Sequence, residues 1–233
     1  MSESNKGICR LSLVPMRSEA SDEASIVSQI LFGEHYSILE EIDAWIKIQL
    51  HFDDSEGWIR KDQHDDITVA YFDQINNSDY KVCTELTGNI YFKKKHVNIL
   101  IGSILPISTN ELFKIEEQVA FNGASKSLSQ KREFEFFTET VSKYLSAPYF
   151  SGGKSPFGID EGGLVQQVFK ICGYRLGRSM SVQINQGKEV KSLDELEPGD
   201  VIYKGIDFPT AAFIMTKDNT FIGVCDGQVQ SVN

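Results

Sequence analysis

The stretch that decides the fold runs from Tyr144 to Leu176, YLSAPYFSGGKSPFGIDEGGLVQQVFKICGYRL. Leu164, Val165, Val168, Phe169 and Cys172 recur at helical spacing, and Gly173 supplies the C-terminal stop. A glycine-rich loop, SGGKSPFGIDEGG, precedes this helix, with Asp160 and Glu161 at its mouth. Upstream, in SLSQKREFEFFTETVSKYL, Phe134, Phe137, Val141 and either Tyr144 or Leu145 follow a second helical period. Downstream, DVIYKG, AAFIMTKD, FIGVCDG and VQSV read as four short antiparallel strands. Helices followed by a run of strands define an α+β domain over residues 126–233.

Two β-rich segments come before it. Residues 1–65 hold ICRLSLVPMR, SIVSQILFGEHYSILEEI, AWIKIQLHF and GWIRK, runs in which β-branched and aromatic residues alternate with polar ones. Trp45 and Trp58 are read as core aromatics of a small barrel. Residues 66–125 offer ITVAYF, YKVCTEL, NIYF, VNILIGSILPI and FKIEEQVAF as strands, with turns at Asn76-Asn77, Gly88-Asn89 and Asn122-Gly123. Lys93-Lys94-Lys95-His96 is read as a solvated hairpin tip.

Composition bounds the function. With 233 residues, 41% of them apolar, the chain can bury one large core or several small ones. A net charge of -10 would repel both a phosphate backbone and an anionic bilayer, so neither nucleic acid nor membrane is expected as a partner. The opening MSESNKGICRLSLVP lacks a basic and apolar leader, so with Met1 as the native start a cytoplasmic location is expected. Cys9, Cys83, Cys172 and Cys225 form no C-x-x-C pair and are expected as reduced, mostly buried thiols. Asp53, Asp54 and Glu56 lack the spacing of a calcium loop and are read as an exposed turn; no metal or cofactor is expected.

The first segment resembles a bacterial SH3-like domain, the second a more irregular SH3-like module, and the Tyr144–Leu176 run the active-site segment of NlpC-type peptidases. These are papain-like enzymes that cut γ-D-glutamyl-diamino acid bonds of peptidoglycan peptides. Glu197-Pro198-Gly199-Asp200-Val201-Ile202-Tyr203 is similar to the family's turn into its central sheet. The two-barrel arrangement is similar to the cytoplasmic dipeptidyl-peptidase branch, which trims muropeptides during cell-wall recycling.

The resemblance implies a nucleophilic cysteine where Glu161 stands, a histidine base where Ala211 stands in Thr210-Ala211-Ala212-Phe213-Ile214, and a third polar residue where Gly223 stands. All three are missing. Independently of any alignment, His35, His51, His64 and His96 are the only histidines, so residues 126–233 contain none. A helix N-terminus stabilises a thiolate, and a cysteine nucleophile relies on an adjacent base. A carboxylate in the same field is a poor nucleophile toward an amide.

The expectation is therefore a catalytically inactive homologue. It would bind a muropeptide fragment or other peptide, or a protein partner, in a groove between its SH3-like and papain-like parts. The resemblance nominates Asp160, Glu161, Tyr149, Glu19, Ser55 and Arg178 as ligand contacts. An active hydrolase with a relocated mechanism using Glu161, Asp160 or Cys225, and a pure interaction scaffold, are the alternatives. Phe213 and Met215 are the side chains expected to fill the groove if it is closed.

Overall fold

The computed structural model describes residues 5–92, 94–105, 120–217 and 220–232. Contacts divide the chain into two units, residues 1–130 and 131–233.

The first unit opens with six strands: β1 (Lys6–Ile8), β2 (Leu13–Arg17), β3 (Ile26–Leu31), β4 (His35–Ile42), β5 (Trp45–Leu50) and β6 (Glu56–Arg60). With β7 (Asp65–Asp66) they form one antiparallel sheet in the order β3-β2-β6-β5-β4-β1-β7. Strict alternation places one face inward. In β5, Ile46, Ile48 and Leu50 are buried, and they pack with Val14, Met16, Ile30 and Ile59. The two tryptophans are on the other side. Trp45 and Lys47 share β5's outward face, Lys47 pairs with Trp58 across to β6, and Arg60 lies 5.2 Å over the Trp45 ring. The expected core aromatics are thus half-buried on the outward face, and aliphatic chains together with Tyr36 and Cys9 fill the interior. Period-2 patterning identifies two faces but does not say which one the sheet curls around.

ITVAYF is a helix, not a strand. Helix α1 spans Val69–Asn76, and the Thr68 hydroxyl caps it by accepting the Tyr71 N–H at 3.1 Å. Phe72 and Ile75, one turn apart, insert among Ile8, Ile67, Tyr80 and Ile104. A capping residue and an i, i+3 apolar pair with a place to bury outweigh the strand propensity of Ile67, Val69 and Tyr71. Beyond it lie β8 (Lys81–Cys83), β9 (Thr87–Phe92), β10 (Lys95–Leu100), β11 (Ile104–Leu105), β12 (Ala120–Asn122) and β13 (Ser125–Ser127). They form two three-stranded sheets, β10-β9-β12 and β11-β8-β13. Gly88-Asn89 is no turn: both residues are paired inside β9, to Ile99 and Asn98. Of the basic cluster, Lys94 (φ +63°) lies between β9 and β10 and Lys95 and His96 begin β10. FKIEEQVAF, apart from Ala120 and Phe121, lies outside the described residues.

The two β-rich segments are tied together inside this unit. Phe32 packs with Cys83, Ile90, Ile99 and Leu105, and its carbonyl accepts the Ile104 N–H at 2.8 Å. At Gly33 (φ +81°) a Cβ would stand 1.9 Å from the Ile104 carbonyl oxygen, so both the turn and the close approach require glycine.

The second unit is the expected α+β domain. Helix α2 (Phe134–Ser142) buries Phe137 and Val141, and past its end Tyr144 is buried while Leu145 is exposed. A hairpin of β14 (Lys154–Ser155) and β15 (Gly158–Ile159) leads into α3 (Glu161–Ile171). That helix ends at Gly173 (φ +91°), whose N–H returns to the Lys170 carbonyl. Phe137 and Phe169 meet edge to face, 5.1 Å between centroids, where α2 crosses α3. Helix α4 (Met180–Gln183) follows, then β16 (Val201–Gly205), β17 (Pro209–Met215), β18 (Phe221–Cys225) and β19 (Gln228–Val232), antiparallel in chain order. No described helix is long and apolar enough to cross a membrane.

Candidate active site

Residues at the start of α3 were nominated from sequence, and this turn is cross-braced by side-chain hydrogen bonds. Asp160 is the N-cap: its Oδ1 accepts the Gly163 N–H at 2.7 Å, satisfying one of the helix's open donors. Its Oδ2 accepts the Gly152 N–H at 2.9 Å. Arg178 then grips both oxygens, Nη1 to Oδ1 at 2.9 Å and Nη2 to Oδ2 at 2.8 Å, and Nη2 also donates to the Gly153 carbonyl at 3.2 Å. A carboxylate has about four acceptor positions. All four are used within the protein, so Asp160 and Arg178, nominated as ligand contacts, form an internal brace between the 152–153 turn, the helix and the 178 loop. Buried guanidinium–carboxylate forks are found where planar, bidentate geometry must hold a chain in place.

Glu161, the first helical residue, is partly buried. Burial pushes its carboxyl above the usual glutamate range, an effect opposed by its own backbone N–H, reinforced by neighbouring Asp160 and weakened by Arg178. Asp160 and Glu161 do not converge, because one is an extended cap turned to Arg178 and the other begins the helix. Around them the loop shows an apolar front: Tyr149 is 47%, Phe150 42% and Phe157 68% exposed. Tyr149 is therefore available to a ligand.

The strand positions need a closer look. Ala212 pairs with Tyr203 and Ala211 with Lys204. Tyr203 donates its hydroxyl to Gln183 Oε1 at 3.3 Å, and Gln183 Nε2 donates to the Gly162 carbonyl at 2.9 Å. The sheet face shared by Tyr203, Ala212 and Ile214 is thus linked to the first turn of α3, whereas Ala211 stands on the opposite face with Phe213. Sequence matching nominated Ala211; the register turns its neighbour toward α3. Both are alanine, and neither can accept a proton.

Gly223 pairs with Phe213 across β17 and β18. A Cβ there would lie 2.5 Å from the Phe213 ring and 2.5 Å from the Ala212 carbonyl oxygen. Phe213 and Met215 line a groove of about 610 Å³ on this face together with Leu196, Ile202 and Phe221.

The remaining candidates lie in the first unit. Glu19 is exposed in the loop after β2, and the Ser55 hydroxyl is engaged by Asp53 Oδ1 at 2.5 Å. Glu56 of the acidic turn is paired with Lys47 at 2.8 Å, and among the described residues no three His, Cys, Asp or Glu side chains cluster as a metal site. Cys9, Cys83 and Cys172 are buried and Cys225 is partly exposed. No histidine belongs to the second unit, whose residues run from 131.

These elements define an SH3-fronted scaffold of the papain-like peptidase class. Residues 16–63 match the bacterial dipeptidyl-peptidase Sh3 domain, and residues 146–232 match the NlpC/P60 family. Residues 146–232 are accordingly an NlpC/P60-family domain, and residues 16–63 a bacterial SH3 domain. Among curated relatives, a Bacillus subtilis protein named gamma-D-glutamyl-L-lysine dipeptidyl-peptidase is 26% identical over 194 residues, 76% of this chain and 64% of the relative. The match thus spans under two thirds of that enzyme. Dipeptidyl-peptidase 6 of Lysinibacillus sphaericus is 24% identical over 210 residues, 80% of this chain and 76% of that one. Among solved structures, an NlpC/P60 family protein from Bacillus cereus superposes with a TM-score of 0.83 at 16% identity, covering 97% of this chain and 93% of that chain. An NlpC/P60 endopeptidase from Photobacterium damselae gives 0.68 at 14% identity, covering 98% and 66%.

Proposed function

We propose that this protein is a catalytically inactive homologue of the γ-D-glutamyl-diamino acid peptidases, keeping their scaffold as a binding surface for peptidoglycan-derived peptides. The observation that carries the reading is the side-chain inventory of the NlpC/P60 unit. The start of α3, where the field favours an anionic nucleophile, holds Glu161, and residues 131–233 contain no histidine. Losing nucleophile and base together removes the group that attacks the amide carbon and the group that activates it. The exposed Tyr149, Phe150 and Phe157, in the loop that leads into α3, supply the apolar contact area on which peptide binding depends.

Glu161's raised affinity for a proton is the one feature that favours a relocated acid–base mechanism. Such work needs a second group converging on the same bond, and the adjacent carboxylate, Asp160, is committed to Arg178. The test is incubation of purified protein with L-alanyl-γ-D-glutamyl-diaminopimelate, followed by mass spectrometry and by calorimetric titration of the same peptide. No hydrolysis with saturable binding is expected. Hydrolysis abolished by Glu161→Ala would replace the proposal with the relocated mechanism, and absence of both cleavage and binding would leave a scaffold for a protein partner.

A further inference from the structure

Two histidines sixteen positions apart in sequence are stacked inside the first unit. The rings of His35, at the start of β4, and His51, just past β5, lie 5.0 Å apart and 25° from parallel. Phe72 of α1 meets both edge-on, at 5.2 and 5.7 Å. His35 Nε2 bonds to Asn76 Oδ1 at 2.6 Å, in the last turn of α1. An amide oxygen only accepts, so the proton of that bond sits on Nε2 and Nδ1 carries the lone pair. Nδ1 is buried without a hydrogen-bond partner, and the residue is 6% exposed.

A second proton would therefore enter a buried site beside another imidazole, on a nitrogen that makes no hydrogen bond. We propose that the His35–His51 stack is a proton-operated latch on α1: neutral, it holds the helix to the first barrel through Asn76 and Phe72; protonated, it releases the helix.

The charged surroundings do not rescue the cation. Facing the pair are the buried Glu34, whose carboxylate is already held by the Leu31 N–H at 2.8 Å, Tyr80 at 6.3 Å from His35, and Lys6, whose ammonium sits 4.6 Å over the Phe72 ring. Burial lowers the His35 pKa from 6.5 to about 4; the Asn76 bond, the Gly33 carbonyl and Glu34 oppose this, and His51 adds to it. The sign follows. Between these values the opened form binds a proton and the closed form does not, so the latch weakens as pH falls.

Amide hydrogen exchange on the full chain, corrected for intrinsic rates, provides the test. Protection of the α1 amides should fall about tenfold per pH unit below 6.5, by up to about 300-fold near pH 4, ahead of the barrel strands. In His35→Gln the slope should be lost. Should that variant fold poorly, ¹⁵N imidazole shifts of the wild-type chain serve instead: His35 must remain neutral to well below pH 6. Loss of protection at the same pH throughout the unit, an unchanged slope in His35→Gln, or a His35 that titrates near 6.5 with α1 still protected would each overturn the latch.

Discussion

Replacing Asp160 with alanine tests whether the start of α3 is a brace rather than a ligand site. The substitution removes an N-cap, a bond to Gly152 and a two-pronged ion pair with an arginine only 9% exposed. Losing a cap costs about 1 kcal/mol. Breaking a buried pair from one side costs about 3–5 kcal/mol, because the surviving charge is stranded. Asp160 itself is 17% exposed, so water partly reaches the vacated guanidinium and screens it, and a total below the sum of these costs, about 3 kcal/mol, is expected. That is about a 150-fold rise in the opening constant of α3. Trp45 and Trp58 both belong to the first unit, so tryptophan emission does not report this event; exchange of the α3 amides does. Arg178→Lys should cost less, since charge survives while the fork is lost. Unchanged α3 protection in Asp160→Ala, or a gain in stability, would show that the brace is not what holds this turn, and Asp160 would return as a candidate ligand contact.

Other consequences are equally specific. Gly223→Ala forces a methyl against Phe213 and the Ala212 carbonyl, with an expected loss of about 1–3 kcal/mol by chemical denaturation; Phe213→Ala in the same chain should recover part of it, and a tolerated Gly223→Ala would refute the steric clash. Because burial raises the Glu161 pKa, its ionised form opposes folding above the ordinary glutamate range, so Glu161→Gln should stabilise the protein near pH 7 and lose that advantage as pH drops below about 4; thermal melts across pH read this directly. Removing the Thr68 cap by alanine should cost about 1 kcal/mol, seen first as faster exchange in α1. Native-state alkylation should label Cys225 well before Cys9, Cys83 or Cys172, and equal labelling of all four would contradict their burial.

Much of the second unit was legible before any coordinates. The periodicity of Leu164, Val165, Val168 and Cys172, a glycine stop at Gly173 and four alternating runs after residue 200 sufficed, because each is a local signal with a local cause. The 66–125 segment was less legible. ITVAYF carries strand-forming side chains, and only the cavity between Ile8, Tyr80 and Ile104 makes a helix the better way to bury Phe72 and Ile75. Trp45 and Trp58 were assigned to the wrong face for a related reason: alternation is symmetric until curvature selects an inside.

The inventory is a matter of sequence alone. Which residue types exist is independent of folding, so a glutamate at 161 and the lack of histidine after His96 are facts no conformation can alter. What those residues do with one another required three dimensions. Asp160 and Arg178 are 18 positions apart, His35 and His51 16, and Phe213 and Gly223 ten; each pair meets through a turn or a ladder register that long-range packing selects. Hydrogen bonds, steric exclusion and desolvation depend on distances of a few ångströms, and those distances are set only when the chain closes on itself.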